Sequence, residues 1–214
     1  TKERNLLYDN YNLLLSFQNI EESRHNQKTS QDLLSSRFET VTVYDLSLNA
    51  DKSFLLFKTK YGLGARRQTV SSTAYRTAES GDRFYNTTRY PDGGTSVSDL
   101  FLYSKTQLNL SKKITLSSGA RFNYNNLIST FLDTQTYNFP FSTIQNKTSS
   151  FVTSILVNYR FTNFMTLKTS FYTGFRNPNL DDLGKVFSKN DNYVVVPNPK
   201  LTAEKSNNVE LGID

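Results

Sequence analysis

The chain has 214 residues, a formal net charge of +6, a single His and no Cys. That composition leaves no disulfide framework, no thiolate metal site and no His cluster, so no cofactor or metal is expected. Its Lys and Arg are scattered rather than in the runs of a nucleic-acid surface, and no apolar run approaches the roughly 18 residues of a transmembrane helix, which leaves β-barrels open because their strands alternate.

In chain order, Tyr11, Leu13, Leu15 and Phe17 alternate with polar residues and predict a strand over about 11–18. Glu21 to Lys28 is charged without an apolar period and reads as loop. Alternation returns from Phe38 to Leu48, ends in a polar turn at Asn49-Ala50-Asp51-Lys52, and resumes with Leu55, Phe57, Thr59, Tyr61 and Leu63 on one side. A long polar segment from about Arg66 to Val97 carries Arg89-Tyr90-Pro91-Asp92-Gly93-Gly94. Strands over about 100–110 and 114–124 follow, joined by the tight turn Ser111-Lys112-Lys113. After a loop over about 125–147, strands over 151–160 and 166–176 flank the turn Phe161-Thr162-Asn163. A Pro- and Asp-rich connection over 177–203 leads to a last strand at 207–214.

Two regularities set the class. Short turns alternate with long loops, and the strands, at about 10–14 residues, exceed the usual 5–6. One face of each strand is apolar plus Thr, and the other carries Lys, Arg, Gln, Asn and Asp. Short turns at one end, long loops at the other and long dyad-patterned strands are the pattern of an outer-membrane barrel. The chain is therefore expected to be all-β: a partial transmembrane antiparallel barrel of about eight strands, with short periplasmic turns and long extracellular loops. Two alternatives stay open. A soluble β-sandwich binding module also alternates, though with shorter strands and no two-ended loop asymmetry. A barrel enzyme would use His25 beside Glu21, Glu22 and Arg24, although no Ser-His spacing supports it.

The stretch Gly174-Phe175-Arg176-Asn177-Pro178-Asn179-Leu180-Asp181-Asp182-Leu183-Gly184-Lys185-Val186-Phe187 resembles a motif of TonB-dependent outer-membrane receptors, especially those of Bacteroidetes-type bacteria. Asn19-Ile20-Glu21-Glu22-Ser23-Arg24-His25, Arg89-Tyr90-Pro91-Asp92-Gly93-Gly94 and Val195-Val196-Pro197-Asn198-Pro199, with Leu201 and Glu204, are similar to further segments of the same receptors, in the same order. The resemblance implies a barrel of about 22 strands closed by an N-terminal plug, located in the bacterial outer membrane. It also implies import of scarce nutrients, such as ferric siderophores or cobalamin, energised through TonB. Neither a plug nor a TonB box is found in residues 1–214, so the chain is expected to be one partial barrel domain holding late-middle strands, not transport-competent by itself. The partners implied are outer-membrane lipid and lipopolysaccharide, a siderophore-like or other small nutrient, and TonB through the plug, with no nucleic acid.

Within the motif, Asn177 is expected as N-cap, Pro178 at N1 and Gly184 at C′ of a short helical turn. Asp181 and Asp182, with Asn179 and Asp191, invite a catalytic or metal reading, but no nucleophile or second base accompanies them. The expected role is softer: Arg89, Asp92, Arg176, Asn179, Asp181 and Asp182 contact ligand from the vestibule loops. Glu21, Glu22 and Arg24 are expected to form a salt-bridge network at the rim. The basic residues Lys28, Arg66, Arg67, Arg76, Arg83, Lys147, Lys185 and Lys189 either focus anionic ligands or meet anionic lipopolysaccharide.

Overall fold

The computed structural model describes residues 5–27, 32–133, 136, 139–183, 187–190, 193–195 and 197–214. In chain order the elements are β1 (Asn10–Asn26), β2 (Leu34–Ser53), β3 (Phe57–Thr77), β4 (Arg83–Tyr85), β5 (Thr95–Asn109), β6 (Ile114–Thr130), β7 (Thr143–Arg160), β8 (Thr166–Arg176), α1 (Leu180–Leu183), β9 (Phe187–Asn190), β10 (Tyr193–Val195) and β11 (Glu204–Ile213). The main sheet is an antiparallel meander in the order β1-β2-β3-β5-β6-β7-β8-β11, with β4 added to the end of β3. β9 and β10 form a separate two-stranded hairpin. Among the described residues β1 and β11 are the edges of this sheet.

Period-2 patterning becomes two surfaces because the ladders of this sheet run without a register break. Leu13, Leu48, Leu63, Leu102, Phe122 and Phe151 stand in one cross-strand row. These side chains are exposed, Leu63 at 55%, Leu102 at 58% and Phe151 at 66%. On the opposite face, Ser16, Asp45, Arg66, Asp99, Asn125 and Thr148 form a polar row. A soluble sandwich would bury the apolar face against a second sheet. Here it lies open across the whole meander, which removes that alternative.

On the polar face, aromatic rings lie across glycines. A Cβ at Gly64 would stand 2.4 Å from the Phe101 ring, and one at Gly62 would stand 2.7 Å from Tyr103. Only a residue without a side chain lets the rings approach that closely. The Tyr103 hydroxyl donates to Asn49 Oδ1 at 2.7 Å, and the Arg121 guanidinium sits 4.1 Å from the Phe101 ring centroid.

The connections depart from the sequence expectation at both ends. The β2–β3 turn is Phe54-Leu55-Leu56, where Phe54 N–H donates to Phe57 O at 2.8 Å, and not 49–52. Leu55 is therefore a turn residue, 99% exposed, rather than a strand residue. Lys52, expected in the turn, is buried inside β2, its ammonium donating to Asp9 at 2.7 Å. The other short turns are closed by Leu110 N–H to Ile114 O and by Phe161 N–H to Met165 O. At the far end the strands run on beyond the apolar pattern. The charged segment expected as loop after Gln18 is strand as far as Asn26, and β3 continues to Thr77. Arg66, Arg67, Arg76 and Lys147 thus stand on strands.

Candidate functional site

The long connections fold inward over the polar face. Asn86 Nδ2 donates to Ser35 Oγ at 2.8 Å, and Arg37 Nε donates to the Thr87 carbonyl at 3.1 Å. Tyr90 N–H reaches Ser72 Oγ at 3.5 Å, Thr148 Oγ1 donates to Asn177 Oδ1 at 2.9 Å, and Asn146 Nδ2 donates to the Leu201 carbonyl at 2.8 Å. By register, Ser35, Arg37, Ser72, Asn146 and Thr148 all belong to the polar face. The buried apolar strand residues Val70, Leu127 and Ile144 share that face, and Leu183 of α1 and Phe131 in the loops are buried as well. Pro91, Pro178 and Pro197, one from each of three loop stretches, are buried too. The core of the described residues is therefore the roof of this concave side.

Within the roof, α1 is organised by a reciprocal cap. Asp182 N–H donates to Asn179 Oδ1 at 3.0 Å, and Asn179 N–H donates to Asp182 Oδ2 at 3.0 Å. The N-cap is thus Asn179 and not Asn177, whose amide oxygen is taken by Thr148. The residue before a proline is pushed toward extended backbone, and Asn179 with Asp182 three residues on supplies the capping-box pair. Gly184, the expected C′ residue, lies outside the described residues, as do Lys28, Lys185, Asp191 and the side chain of Lys189.

Five of the six expected ligand residues meet here. Arg176, at the end of β8, donates to Asp182 Oδ2 at 2.9 Å and to both oxygens of Glu204, Nε to Oε2 at 3.1 Å and Nη2 to Oε1 at 2.9 Å. One residue along, Asp181 accepts the Tyr90 hydroxyl at 3.2 Å and lies 3.8 Å from Arg89. A clasp thus joins the loop before β5 to the loop after β8, across 91 residues of sequence. Asp92 stands apart, accepting the Leu132 and Asp133 amides at 2.8 and 3.0 Å, in a turn closed by Gly94 N–H to Pro91 O. Gly94 has φ +84°, which suits glycine there. The cavity bordered by Arg89 and Asp92 is about 30 Å³, room for about one water and not for a ligand.

At the rim, Arg24 pairs with Glu22 at 2.5 Å. Glu21 belongs to the opposite face of β1, one residue out of phase, so the expected three-residue network reduces to this pair. Sequence reasoning missed Glu39. It stands directly opposite Glu22 in the ladder, is 3% exposed, and neither of its oxygens has a hydrogen-bond partner among the described residues. Its neighbour Ser72 carries the Tyr90 amide. Only a cross-strand register could have flagged it. His25 Nδ1 lies 3.0 Å from Ser36 Oγ, the contact an enzyme would need. Ser36 is 3% exposed, and among the described residues no carboxylate pairs with the imidazole, so the pair has neither substrate access nor an orienting acid.

Charge follows geometry in the clasp. The Asn179 amide, and after it Arg176, hold the Asp182 carboxyl below its ordinary value. The Arg176 hydrogen bonds do the same for Glu204, and the Arg176 guanidinium is pushed up by the two carboxylates. Desolvation, then Asp181, raises the Tyr90 hydroxyl. Carboxylates depressed in the folded state stabilise it above their unfolded values, near 4, and that contribution is lost as pH falls through the folded values. Protection of the Asn179, Asp182 and Leu183 amides, measured as exchange relative to the intrinsic rate at each pH, is therefore expected to hold from pH 7 to 5 and to fall below about pH 4. Protection unchanged down to pH 3 would remove the carboxylates from the clasp.

The family described as TonB dependent receptor-like, beta-barrel matches residues 3–214. The chain belongs to this family. The ferric yersiniabactin uptake receptor FyuA from Yersinia pestis superposes with a TM-score of 0.64 at 18% identity, over 95% of this chain and 30% of that one. The siderophore receptor PiuA from Acinetobacter baumannii gives 0.60 at 13% identity, over 97% and 35%. The Serratia marcescens hemophore receptor HasR, in complex with its hemophore HasA and heme, gives 0.66 at 14% identity, over 95% and 36%. At these identities the likeness is one of fold, and the chain spans about a third of each receptor's length. None of the curated proteins matches by sequence. Barrels of this receptor family sit in the outer membrane, and the family is one of receptors and transporters rather than enzymes. In such barrels generally, the apolar face of the strands is the one that meets lipid and the polar face lines the lumen.

Proposed function

We propose that this chain is part of the wall of an outer-membrane importer of a scarce nutrient, a ferric siderophore, a cobalamin or a molecule of similar size, energised by TonB. The observation that carries this reading is the inward fold of the long loops over the polar face, which makes a roofed vestibule instead of an open pore. The likeness of fold to receptors for ferric yersiniabactin, other siderophores and a heme-carrying hemophore supports the nutrient class. Ligand is met outside that one-water cavity, at the solvent-facing edges of Arg89, Asn179, Asp181, Asp182 and Arg176, with Asp92 holding the first loop in place. Arg176 is already matched by Asp182 and Glu204, so selection rests on hydrogen-bonding edges around Arg89 and Tyr90 rather than on a net positive field. The TonB contact is made through a plug domain, which this family carries ahead of its barrel.

The test is uptake of labelled ferric siderophores, cobalamin and heme by cells with and without the parent gene, each with and without a protonophore. One ligand is expected to lose its saturable, protonophore-sensitive uptake on deletion. Arg89→Ala is expected to weaken that ligand about tenfold, the loss of one charge-assisted hydrogen bond of about 1.4 kcal/mol. Equal uptake of all three with and without the gene would overturn the assignment to these ligands.

A further inference from the structure

The roof covers a charge that the clasp does not use. Glu39, on the polar face of β2, is 3% exposed, and neither of its carboxylate oxygens has a hydrogen-bond partner among the described residues. In the ladders it stands between Glu22 of β1 and Ser72 of β3. The two nearest cations are engaged elsewhere. Arg24 pairs with Glu22 at 2.5 Å, and Arg37 Nε donates to the Thr87 carbonyl at 3.1 Å.

Three hydrogen bonds tie the strap 86–90 to the polar face around this carboxylate. Asn86 Nδ2 donates to Ser35 Oγ at 2.8 Å, the Thr87 carbonyl accepts from Arg37, and Tyr90 N–H reaches Ser72 Oγ at the long distance of 3.5 Å. Tyr90 lies close enough that Glu39, after burial and Asp181, adds to the rise of its hydroxyl. Both ends of the strap are fixed independently of these ties. β4 pairs with the end of β3, and Asp92 accepts the Leu132 and Asp133 amides.

A carboxylate buried without a partner costs more than any one of these bonds contributes, and a like charge directly opposite adds to that cost. The cost disappears when the strap lifts and water reaches the carboxylate. Weak ties therefore hold the strap down over a group that favours its release. The same strap carries Arg89 and Tyr90, whose contacts with Asp181 close the clasp.

We propose that Glu39 is a positioning residue of the vestibule. Its unmatched charge keeps the strap 86–90 near its opening point, so that Arg89 and Tyr90 leave Asp181 to admit ligand and return once it has entered. Glu39 acts through the strap and not on the ligand. The proposal rests on the reading of Arg89 and its neighbours as ligand contacts of an importer.

The test is trypsin cleavage after Arg89 in the intact receptor, purified in detergent without ligand, with the exposed Lys112 of the β5–β6 turn as internal reference. Glu39→Gln keeps the shape and removes the charge. It is expected to slow cleavage after Arg89 about tenfold while the reference site is unchanged, because cleavage tracks the open population. Glu39→Met should slow it likewise, and decides if the Gln variant does not fold. Glu39→Asp keeps the charge and should give no slowing. Unchanged or faster cleavage in the neutral variants, the result if Glu39 ties the strap through a bound water or cation, overturns the proposal. Equal slowing by Glu39→Asp overturns it too. Uptake of the same labelled ferric siderophores, cobalamin and heme reads the consequence. The ligand whose uptake is lost on deletion should enter at a lower maximal rate through the Glu39→Gln receptor, with no rise in half-saturation, and an unchanged rate overturns the role in admission. If deletion affects none of the three, the importer reading fails, and the cleavage series still decides whether Glu39 loads the strap.

Discussion

Leu102→Arg in the intact receptor is expected to cost about 2–4 kcal/mol of folding free energy in lipid vesicles, the penalty for a cation near the middle of a barrel's lipid-facing band. The position follows from the ladder. On β5 the apolar-face residues run from Ser98, opposite Arg67, to Leu108, opposite Phe57 beside the short turn. Ten residues at about 3.4 Å each, tilted by about 40°, give a band about 25 Å tall, and Leu102 sits well inside it. Gln107→Glu is the matched control. It stands exposed on the polar face of the same strand, opposite Lys58, and is expected to change stability by no more than about 0.5 kcal/mol. Urea unfolding of both variants in vesicles measures the difference. A tolerated Leu102→Arg, or a Gln107→Glu that costs as much, would reverse the assignment of faces.

The assignment of faces was legible before any coordinates because lipid and water impose it residue by residue. Leu13, Leu48, Leu63 and Leu102 each carry the signal alone, and the unbroken ladder adds only their alignment. Where neither medium enforces alternation, the pattern fails. The upper parts of β1 and β3 rise beyond the band, so Glu21 to Asn26 and Arg66 to Thr77 carry charges on both faces and read as loop although they pair as strand. The β2–β3 turn misled in the opposite sense. Asn49 to Lys52 looks like a turn by composition, but Asn49 is held by Tyr103 and Lys52 by Asp9. The real turn, Phe54-Leu55-Leu56, is apolar, with Phe54 and Phe57 stacked on each other; on the proposed outer-membrane reading it lies at the membrane boundary, where aromatic residues are favoured. The clasp was legible by residue but not by geometry. Arg89, Arg176, Asn179, Asp181 and Asp182 stand out through the family motifs, yet no local pattern says that Tyr90 reaches Asp181. Nor does any pattern show that Glu39 lies buried opposite Glu22.

What holds the roof down is decided by magnitudes. The Arg176 pairs are conspicuous, but the guanidinium side chain is 53% exposed and Glu204 is 69% exposed. Exposed ion pairs contribute about 0–1 kcal/mol, less in salt. Leu183 is fully buried, and truncating a buried Leu to Ala costs about 2–5 kcal/mol. Leu183→Ala is therefore expected to release the 177–183 segment from the polar face, while Arg176→Ala leaves it docked. Limited proteolysis of the intact receptor reads the difference. Cleavage within 177–183 should rise at least tenfold for Leu183→Ala and less than about fivefold for Arg176→Ala, since each 1.4 kcal/mol is a factor of ten in the open population. The strand ladders should stay protected in both variants, because β7, β8 and β11 are paired independently of α1. A larger effect from Arg176→Ala would make the clasp electrostatic, and its stability would then fall steeply between 50 and 500 mM salt. With apolar burial dominant, that salt series is expected to be flat, and the ion pairs then fix the orientation of α1 while Leu183 supplies its affinity for the wall.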